Sequence, residues 1–209
     1  MPPTGSVSLD AAVERLLAGG AVAFPTETVF GLGADATNAD AVERVYAIKN
    51  RPHEKPMPVI VSDLAMAQRL TDALTGRVLR LAEAFWPGPL TLVCESNWAL
   101  PSIVTAGGST VAIRVPGLEP LCELIERCNR PLIAPSANRA GDAPAMTCES
   151  TLKIFEQEIA SAVVACYCPT EAGIGSGAPS TILQPGDSPA ADRILRAGPI
   201  GADDIARVR

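Results

Sequence analysis

Short apolar runs alternate with amphipathic segments along most of this chain, and proline or glycine bounds many of them. Short apolar runs between turn signals are typical of buried strands, whereas apolar residues three and four apart indicate a helix that covers a core. Strands alternating with helices predict an α/β fold with helices on both faces of a twisted sheet. Several neighbouring strand segments have no helix between them, so we expect a mixed parallel and antiparallel sheet.

Capping and turn residues give approximate limits to these segments. Ser8 or Asp10 is suited to cap a first helix that runs through Leu17, and Asn38 is suited to cap a second. Further helices are predicted from about residue 62 and over residues 75–85, 118–128 and 147–158. Strands are predicted over residues 21–24, 59–61, 90–94, 111–115, 131–134, 162–166, 180–183 and 193–195.

Two pairs of polar residues are set in apolar surroundings. Lys49 and Arg51 precede Pro52, and Ser136 and Asn138 follow the predicted strand 131–134. A residue before proline is driven out of the α region, and side chains two apart in an extended segment point the same way. We therefore expect each pair to reach one cavity, beyond the carboxyl end of a strand, where α/β sheets bind ligands. Two cations with two neutral hydrogen-bonding groups suit a polyphosphate.

Further polar residues interrupt apolar runs or follow them. Thr26 and Glu27 come directly after a predicted strand, and Arg114 lies inside another. A buried arginine without an anionic partner is costly, so Arg114 needs either an internal acid such as Glu27 or an anionic ligand. The residues alone leave both open. Ser180 and Arg196 repeat the pattern of a polar group at a strand edge.

Length and charge limit the classes of protein. With 209 residues, 47% of them hydrophobic, we expect a single domain over residues 1–209, with its core at about 8–200. The net charge of −6 argues against nucleic-acid binding by a broad basic face. The first twenty residues lack a basic apolar leader, and no apolar run approaches the roughly 20 residues of a membrane helix. We expect a cytoplasmic protein with no membrane contact.

The six cysteines form no C-x-x-C pair, and the chain has one histidine, so we expect no protein-bound transition metal. Cys166 and Cys168 share one face of a predicted strand. We interpret them as small buried apolar side chains of a protein kept reduced.

Motifs of several other enzyme classes are absent or out of context. Residues 173–178 match G-x-G-x-x-A, but Pro179 and a strand-like run follow where a dinucleotide fold needs a helix N-terminus. The chain has no P-loop and no G-x-S-x-G sequence, and its one histidine, His53, lies in a charged loop. A Rossmann site, a P-loop and a hydrolase triad are therefore not expected.

Five motifs together resemble the YrdC-like threonylcarbamoyl-AMP synthases, in order and over nearly the whole chain. They are FPTETVFGL at residues 24–32, KNRP at 49–52, WPGPLT at 86–91, AIRVP at 112–116 and PSAN at 135–138. The resemblance implies a YrdC-like domain with a central ligand cavity. It also implies condensation of L-threonine, bicarbonate or CO2, and ATP into threonylcarbamoyl-AMP and pyrophosphate, for modification of tRNA by downstream threonylcarbamoyl-transfer proteins.

The resemblance also implies roles for individual residues. Thr26 and Arg114 would bind threonine, and Lys49 and Arg51 would be catalytic. ATP, with Mg²⁺, would be bound by Lys49, Arg51, Ser136, Asn138, Ser180 and Arg196. Such transfers depend on positioning and charge neutralisation more than on a protein nucleophile. No general base is evident from the sequence.

Two alternatives remain open at the level of sequence. Proteins of this family have been regarded as binders of structured RNA, and an RNA-binding module would show affinity that falls steeply with salt. YrdC-like domains also occur in carbamoyl-adenylate chemistry, for which carbamoyl phosphate would replace threonine and bicarbonate.

Overall fold

One mixed sheet organises the computed structural model, which describes residues 5–169 and 177–208. The strands in these residues are β1 (Ala21–Phe24), β2 (Gly31–Asp35), β3 (Val59–Ile60), β4 (Leu90–Glu95), β5 (Thr110–Arg114), β6 (Leu132–Ile133), β7 (Val164–Cys166), β8 (Thr181–Gln184) and β9 (Arg193–Arg196). They lie side by side in the order β7-β1-β2-β6-β3-β5-β4-β8-β9.

Helices connect and cover these strands. They are α1 (Leu9–Leu17), α2 (Ala39–Lys49), α3 (Leu64–Gln68), α4 (Gly76–Phe85), α5 (Glu119–Cys128), α6 (Cys148–Ile154), α7 (Glu156–Ala160) and α8 (Ala202–Arg207), with a 3-10 turn at Pro189–Ala191. No helix in the described ranges is long and apolar enough to cross a bilayer.

The predicted mixture of strand directions is confirmed. The pairs β1–β7, β3–β5 and β4–β8 are parallel, and the remaining pairs of neighbours are antiparallel. Every residue of β1 and β2 is buried, so both faces of the sheet are covered there. The core extends to both sides of these strands, as expected of an α/β fold.

The helix caps inferred from the sequence are also confirmed. The side chain of Ser8 accepts a hydrogen bond from the backbone N of Ala11 at 3.3 Å. Asn38 Oδ1 accepts from the backbone N–H groups of Asp40 and Ala41, both at 3.1 Å. These bonds satisfy donors that the first turn of a helix leaves without partners, and so they fix where α1 and α2 begin.

Strand β2 was not predicted, because two of its five residues are glycines. The structure shows why glycine is required: a Cβ at Gly31 would lie 2.8 Å from Cε2 of Phe24, and one at Gly33 would lie closer still to the same ring. Phe24 is fully buried on the neighbouring strand. Glycine in this strand therefore marks a close approach of an aromatic side chain and not a loop.

Two predicted helices differ in their limits. The helix expected from about residue 62 begins at Leu64, where Asp63 accepts a hydrogen bond from Met66 N at 2.7 Å. The helix expected over 147–158 is divided into α6 and α7 at Phe155, which leaves the helical conformation with its side chain fully buried.

The interpretation of Cys168 as a small apolar residue is wrong. Cys168 is disulfide-bonded to Cys148, with the two Cα atoms 6.1 Å apart. Cys166 is a free thiol and is fully buried. The bonded cysteines are 20 residues apart in sequence, and only the docking of α6 beside β7 brings them together.

The packing of Phe24 over β2 gives a stability prediction. The change Gly33→Ala forces a Cβ into the Phe24 ring and towards the Ile133 carbonyl, so the ring or the strand must move. We expect Gly33→Ala to lower the free energy of unfolding by about 1–3 kcal/mol. Gly117→Ala is the matched control, because its Cβ would make only ordinary contacts of 3.5 Å or more. Equal urea midpoints for the two variants would contradict this account of β2.

Candidate active site

A cavity of about 520 Å³ lies against the sheet, within the range of roughly 300–1,000 Å³ typical of ligand sites. Its described wall is built from segments that follow β1, α2 and β6, together with residues of β2, β3, β4, β5, β8 and β9. Seven of the eight residues singled out from the sequence lie in this wall: Thr26, Arg51, Arg114, Ser136, Asn138, Ser180 and Arg196. Segments far apart in the chain thus converge on one place.

Lys49, the eighth, lies behind the wall. It is the last residue of α2, and Asn50 ends the helix in the left-handed conformation, so the extended conformation expected for Lys49 is wrong. Its Nζ donates hydrogen bonds to the carbonyl oxygens of Ser136 at 2.5 Å and Asn138 at 2.6 Å, and 2% of the residue is exposed. Lys49 therefore holds the backbone of the loop that carries the S-x-N pair.

The charge of Lys49 has acceptors but no opposite charge nearby. Its Nζ has no carboxylate within ion-pair distance in the described residues. The pKa of Lys49 is lowered to about 8. Burial is the main cause, and the charges of Arg51 and Arg139 are the smaller ones. A protonated Lys49 thus adds positive potential directly behind the cavity wall.

The side chains of Ser136 and Asn138 point the same way, as expected. Ser136 Oγ donates to Asn138 Oδ1 at 2.5 Å. Asn138 Nδ2 donates to the carbonyl oxygens of Arg139 and Asp142, both at 2.8 Å. The backbone of Ser136 forms a bridge with Gly31 at the start of β2. The loop is therefore tied to the sheet on one side and to itself on the other.

Arg51 bonds to the backbone of its own loop. Its Nε donates to the carbonyl oxygen of Lys55 at 3.2 Å, and Nη2 donates to that of Pro56 at 2.9 Å. These bonds orient the guanidinium without neutralising it, since no acid of the described chain lies within ion-pair distance. Burial lowers the pKa of Arg51, as expected for a partly desolvated cation.

Arg114 ends β5 and pairs with an internal acid, which was one of the two partners that the sequence left open. Its Nη1 donates to Glu27 Oε1 at 3.2 Å and to Thr28 Oγ1 at 3.3 Å. Burial lowers the pKa of Arg114, whereas the carboxylate of Glu27 acts to raise it. Arg114 lines the cavity and Glu27 does not. The acid therefore holds Arg114 from behind the wall, by one nitrogen of the guanidinium.

The hydroxyl of Thr26 is used by the turn after β1. It donates to the carbonyl oxygen of Val29 at 2.7 Å and accepts from the backbone N–H groups of Thr28 at 3.0 Å and Val29 at 3.2 Å. Thr26 lines the cavity, but its first structural role is to fix this turn. The turn in turn places Thr28 and Glu27 against Arg114.

Ser180 and Arg196 form a second polar group with Thr91. Arg196 Nη2 donates to the carbonyl oxygen of Ser180 at 2.7 Å and to its Oγ at 3.0 Å. Ser180 Oγ lies 2.8 Å from Thr91 Oγ1, on β4. Burial and then the charge of Arg114 lower the pKa of Arg196.

Sequence reasoning did not assign Thr91 and Asp142 to the site. Thr91 ends the WPGPLT motif, which was the signal for it. Asp142 lies on the loop after the S-x-N pair and is the one acid in the described cavity wall, which also contains three arginines. Residues 173–176 of the G-x-G-x-x-A match lie outside the described residues.

The wall therefore carries an excess of positive charge in a chain whose net charge is −6.

The model of the family Sua5_yciO_yrdC, described as Telomere recombination, matches residues 14–198. This chain belongs to that family. In this member of the family, residues of the sequence motifs line the cavity.

Relatives of known name agree with this assignment. The chain is 39% identical over 189 residues to a threonylcarbamoyl-AMP synthase of Bacillus subtilis (strain 168), an alignment of 90% of this chain and 52% of the relative. It is 43% identical over 120 residues to the threonylcarbamoyl-AMP synthase of Pyrococcus abyssi (strain GE5 / Orsay), covering 57% of this chain and 35% of the relative. The chain spans about half or less of the length of these curated relatives.

A solved structure extends the similarity to three dimensions. P. abyssi Sua5 complexed with L-threonine superposes with a TM-score of 0.87 at 32% identity. The match covers 96% of this chain and 56% of that one. The mixed α/β sheet predicted from the sequence is therefore the fold of this family.

The lowered pKa of Lys49 predicts a pH-dependent stability. A pKa of about 8 lies below the ordinary 10.5, so the native protein loses this proton before the unfolded chain does. Between these values the unfolded chain binds more protons, and the Lys49 contribution to the free energy of unfolding rises with pH, by up to about 3 kcal/mol. We expect the difference between wild type and Lys49→Met to grow from about pH 7 to about pH 10.

Urea unfolding at several pH values measures this difference. The exposed Lys153 supplies the matched control, since Lys153→Met should leave the pH dependence of the wild type unchanged. Parallel pH profiles for wild type and Lys49→Met would show that burial does not perturb Lys49.

Proposed function

We propose that this protein is an L-threonylcarbamoyladenylate synthase, which condenses L-threonine, bicarbonate or CO2, and ATP into threonylcarbamoyl-AMP and pyrophosphate. The observation that carries the proposal is the convergence of three arginines and several hydroxyl and amide groups on one cavity. The substrates bear a carboxylate and a triphosphate, and guanidinium groups bind both of these anions by charge-assisted hydrogen bonds. Similarity to synthases and to a threonine complex supports the same activity.

On the ATP side, we assign the phosphates to Arg51, Ser136 and Asn138. Ser136 and Asn138 provide neutral polar side chains on a fixed loop, and Arg51 provides charge in the same wall. Lys49 acts on the same region from beneath, through the two carbonyls it binds and through its own charge. Ser180 and Arg196, which also line the wall, complete the proposed nucleotide site.

On the threonine side, we assign the substrate carboxylate to Arg114. Glu27 and Thr28 engage Nη1 of Arg114 and orient the rest of the guanidinium. Thr26 lines the adjoining wall and fixes the turn that places these two residues. Glu27 is one negative charge beside the two positive charges of Arg114 and Arg196. A substrate carboxylate bound here would offset the remaining positive charge.

The reaction needs positioning more than a protein nucleophile. The threonine amine captures CO2 or bicarbonate as a carbamate, and a carbamate oxygen then attacks the α-phosphate of ATP as pyrophosphate leaves. The residues of the wall bring these groups together and stabilise negative charge that develops on the phosphate oxygens.

The residues present fit Mg²⁺ bound together with ATP. Mg²⁺ is usually held by one or two carboxylates with substrate phosphates and water, and Asp142 is the one carboxylate in the described wall. Bound Mg²⁺ would neutralise part of the charge of the leaving pyrophosphate. We assign Asp142 as its protein ligand.

The product is an activated adenylate, so we propose that downstream tRNA threonylcarbamoyl-transfer proteins consume it in the cytoplasm. Direct RNA contact is the weaker alternative, because a net charge of −6 argues against RNA binding by a broad basic face. RNA would then have to bind at the basic cavity. Carbamoyl-adenylate formation would use the same phosphate ligands, and it differs only in the acceptor side.

Pyrophosphate release from ATP and Mg²⁺ tests the proposal, with L-threonine and bicarbonate omitted in turn. We expect release to require both. Release with carbamoyl phosphate in place of threonine and bicarbonate would instead identify the carbamoyl-adenylate reaction. If ATP binds but no pyrophosphate is released, and the protein binds RNA with an affinity that falls with salt, the RNA-binding alternative is correct.

Two variants separate the proposed subsites. Arg114→Lys keeps a charge for Glu27 but loses the fork that binds a carboxylate, so we expect the KM for threonine to rise about 10- to 100-fold with a smaller change for ATP. Arg196→Ala should raise the KM for ATP more than the KM for threonine. Initial rates over a matrix of both substrates measure this, and equal effects of both variants on both substrates would refute the assignment.

A further inference from the structure

Three cysteine sulfurs meet where α6 docks beside the end of β7. Cys148 is the first residue of α6, Cys166 is the last residue of β7, and Cys168 follows two residues later. The three Sγ atoms all lie within 4.8 Å of one another, and those of Cys166 and Cys168 are 3.4 Å apart. Cys148 and Cys168 share the disulfide, and Cys166 is the free thiol beside it. The proposed synthase reaction uses none of them.

The spacing of these sulfurs suits a single bound cation. Zinc–sulfur bonds of about 2.3 Å place two thiolates roughly 3.8 Å apart in a tetrahedral site and slightly further apart in a trigonal one. The Cys166–Cys168 separation is already close to this value, and opening the disulfide lets Cys148 and Cys168 move apart to it. The group contains sulfur ligands alone, which favours soft cations over Mg²⁺ or Ca²⁺.

The backbone that carries the sulfurs is fixed without the disulfide. Strand β7 pairs in parallel with β1, where Tyr167 N donates to Ala23 O at 2.8 Å. Val7 N donates to the carbonyl oxygen of Cys166 at 2.9 Å. The start of α6 has its own capping box, formed by Thr147 and Ser150. Reduction should therefore leave the three thiols near one another, as a site with a prearranged scaffold requires.

We propose that Cys148, Cys166 and Cys168 form a three-thiolate site for a soft d10 cation, Zn²⁺ or Cu⁺, when the Cys148–Cys168 bond is reduced. Reduction adds two electrons and two protons to the disulfide and gives two thiols, at the expense of a dithiol or phosphine reductant that is itself oxidised. The cation then binds three sulfurs, and the thiol protons pass to solvent. Cys166 and Cys168 are buried and Cys148 is half-buried, so the cation enters from the side of Cys148.

Cadmium binding to the reduced protein tests this site, because thiolate-to-Cd²⁺ charge transfer gives an ultraviolet absorption band. The full chain is reduced with a phosphine, freed of reductant without oxygen, and titrated with Cd²⁺. We expect one Cd²⁺ per chain, with Zn²⁺ and Cu⁺ displacing it in competition. The oxidised protein, in which only Cys166 of the three remains a thiol, should show no such band.

Single substitutions assign the ligands. Cys166→Ala and Cys148→Ser should each weaken Cd²⁺ binding about tenfold or more. Cys94→Ala and Cys128→Ala are the matched controls, because both are buried free cysteines outside the cluster, and they should bind as wild type does. Cd²⁺ should also raise the melting temperature of the reduced wild type and of the controls, but not that of Cys166→Ala.

The opposite results overturn the site. Reduced wild type with six titratable thiols and no charge-transfer band would show that the cluster is a disulfide and a thiol only. A wild-type band in Cys166→Ala would place the cation elsewhere. Circular dichroism of each variant without metal confirms that it is folded, and Cys166→Ser provides a second polar substitution should the alanine variant unfold.

Discussion

The candidate site depends on a buried ammonium group that no acid neutralises within residues 5–169 and 177–208. Lys49 bonds to the carbonyls of Ser136 and Asn138, and through them it fixes the loop that forms one wall of the cavity. Removing the group would leave the Asn138 carbonyl oxygen without this donor, which costs about 1–3 kcal/mol for a buried unsatisfied group. The Ser136 carbonyl oxygen would keep its bond from the backbone N–H of Asn138 at 3.0 Å. Its role in the free protein is therefore to shape the site, and its charge is an added contribution to anion binding.

The same imbalance extends across the cavity. Burial and then the charge of Arg114 lower the pKa of Arg196, and Glu27 forms its ion pair with Arg114. Buried charges are costly unless they are paired. A protein that keeps such a cluster loses some stability in the free state and regains it when an anion binds. This exchange is common at functional sites, where strain and unbalanced charge are retained for binding.

Much of this fold follows from local pattern, and the exceptions have identifiable causes. The caps at Ser8 and Asn38 and the mixed sheet were predicted, since side-chain oxygens and apolar runs act locally. Strand β2 was not, because the need for Gly31 and Gly33 arises from Phe24 on another strand. Long-range packing of this kind leaves no signal in the spacing of residues along one segment.

The site shows the same division between local and distant information. That Arg51, Ser136 and Asn138 share one cavity could be inferred from their place before a proline or after an apolar run. Thr26, Arg114, Ser180 and Arg196 were given roles in the site by the resemblance to the family. The direction of the Lys49 side chain could not be inferred, since it depends on α2 continuing as far as Lys49 and on Asn50 ending the helix.

The cysteines give the clearest case. A search by spacing finds no C-x-x-C and predicts no metal, whereas the fold places a C-x-C pair against a third cysteine 20 residues from Cys168. A ligand set is defined by distances between atoms, and sequence spacing reports such distances only within one element. Where two elements dock, as α6 and β7 do, the relevant separation is set by the packing of the whole sheet. Predictions of absence made from spacing are for that reason weaker than predictions of presence.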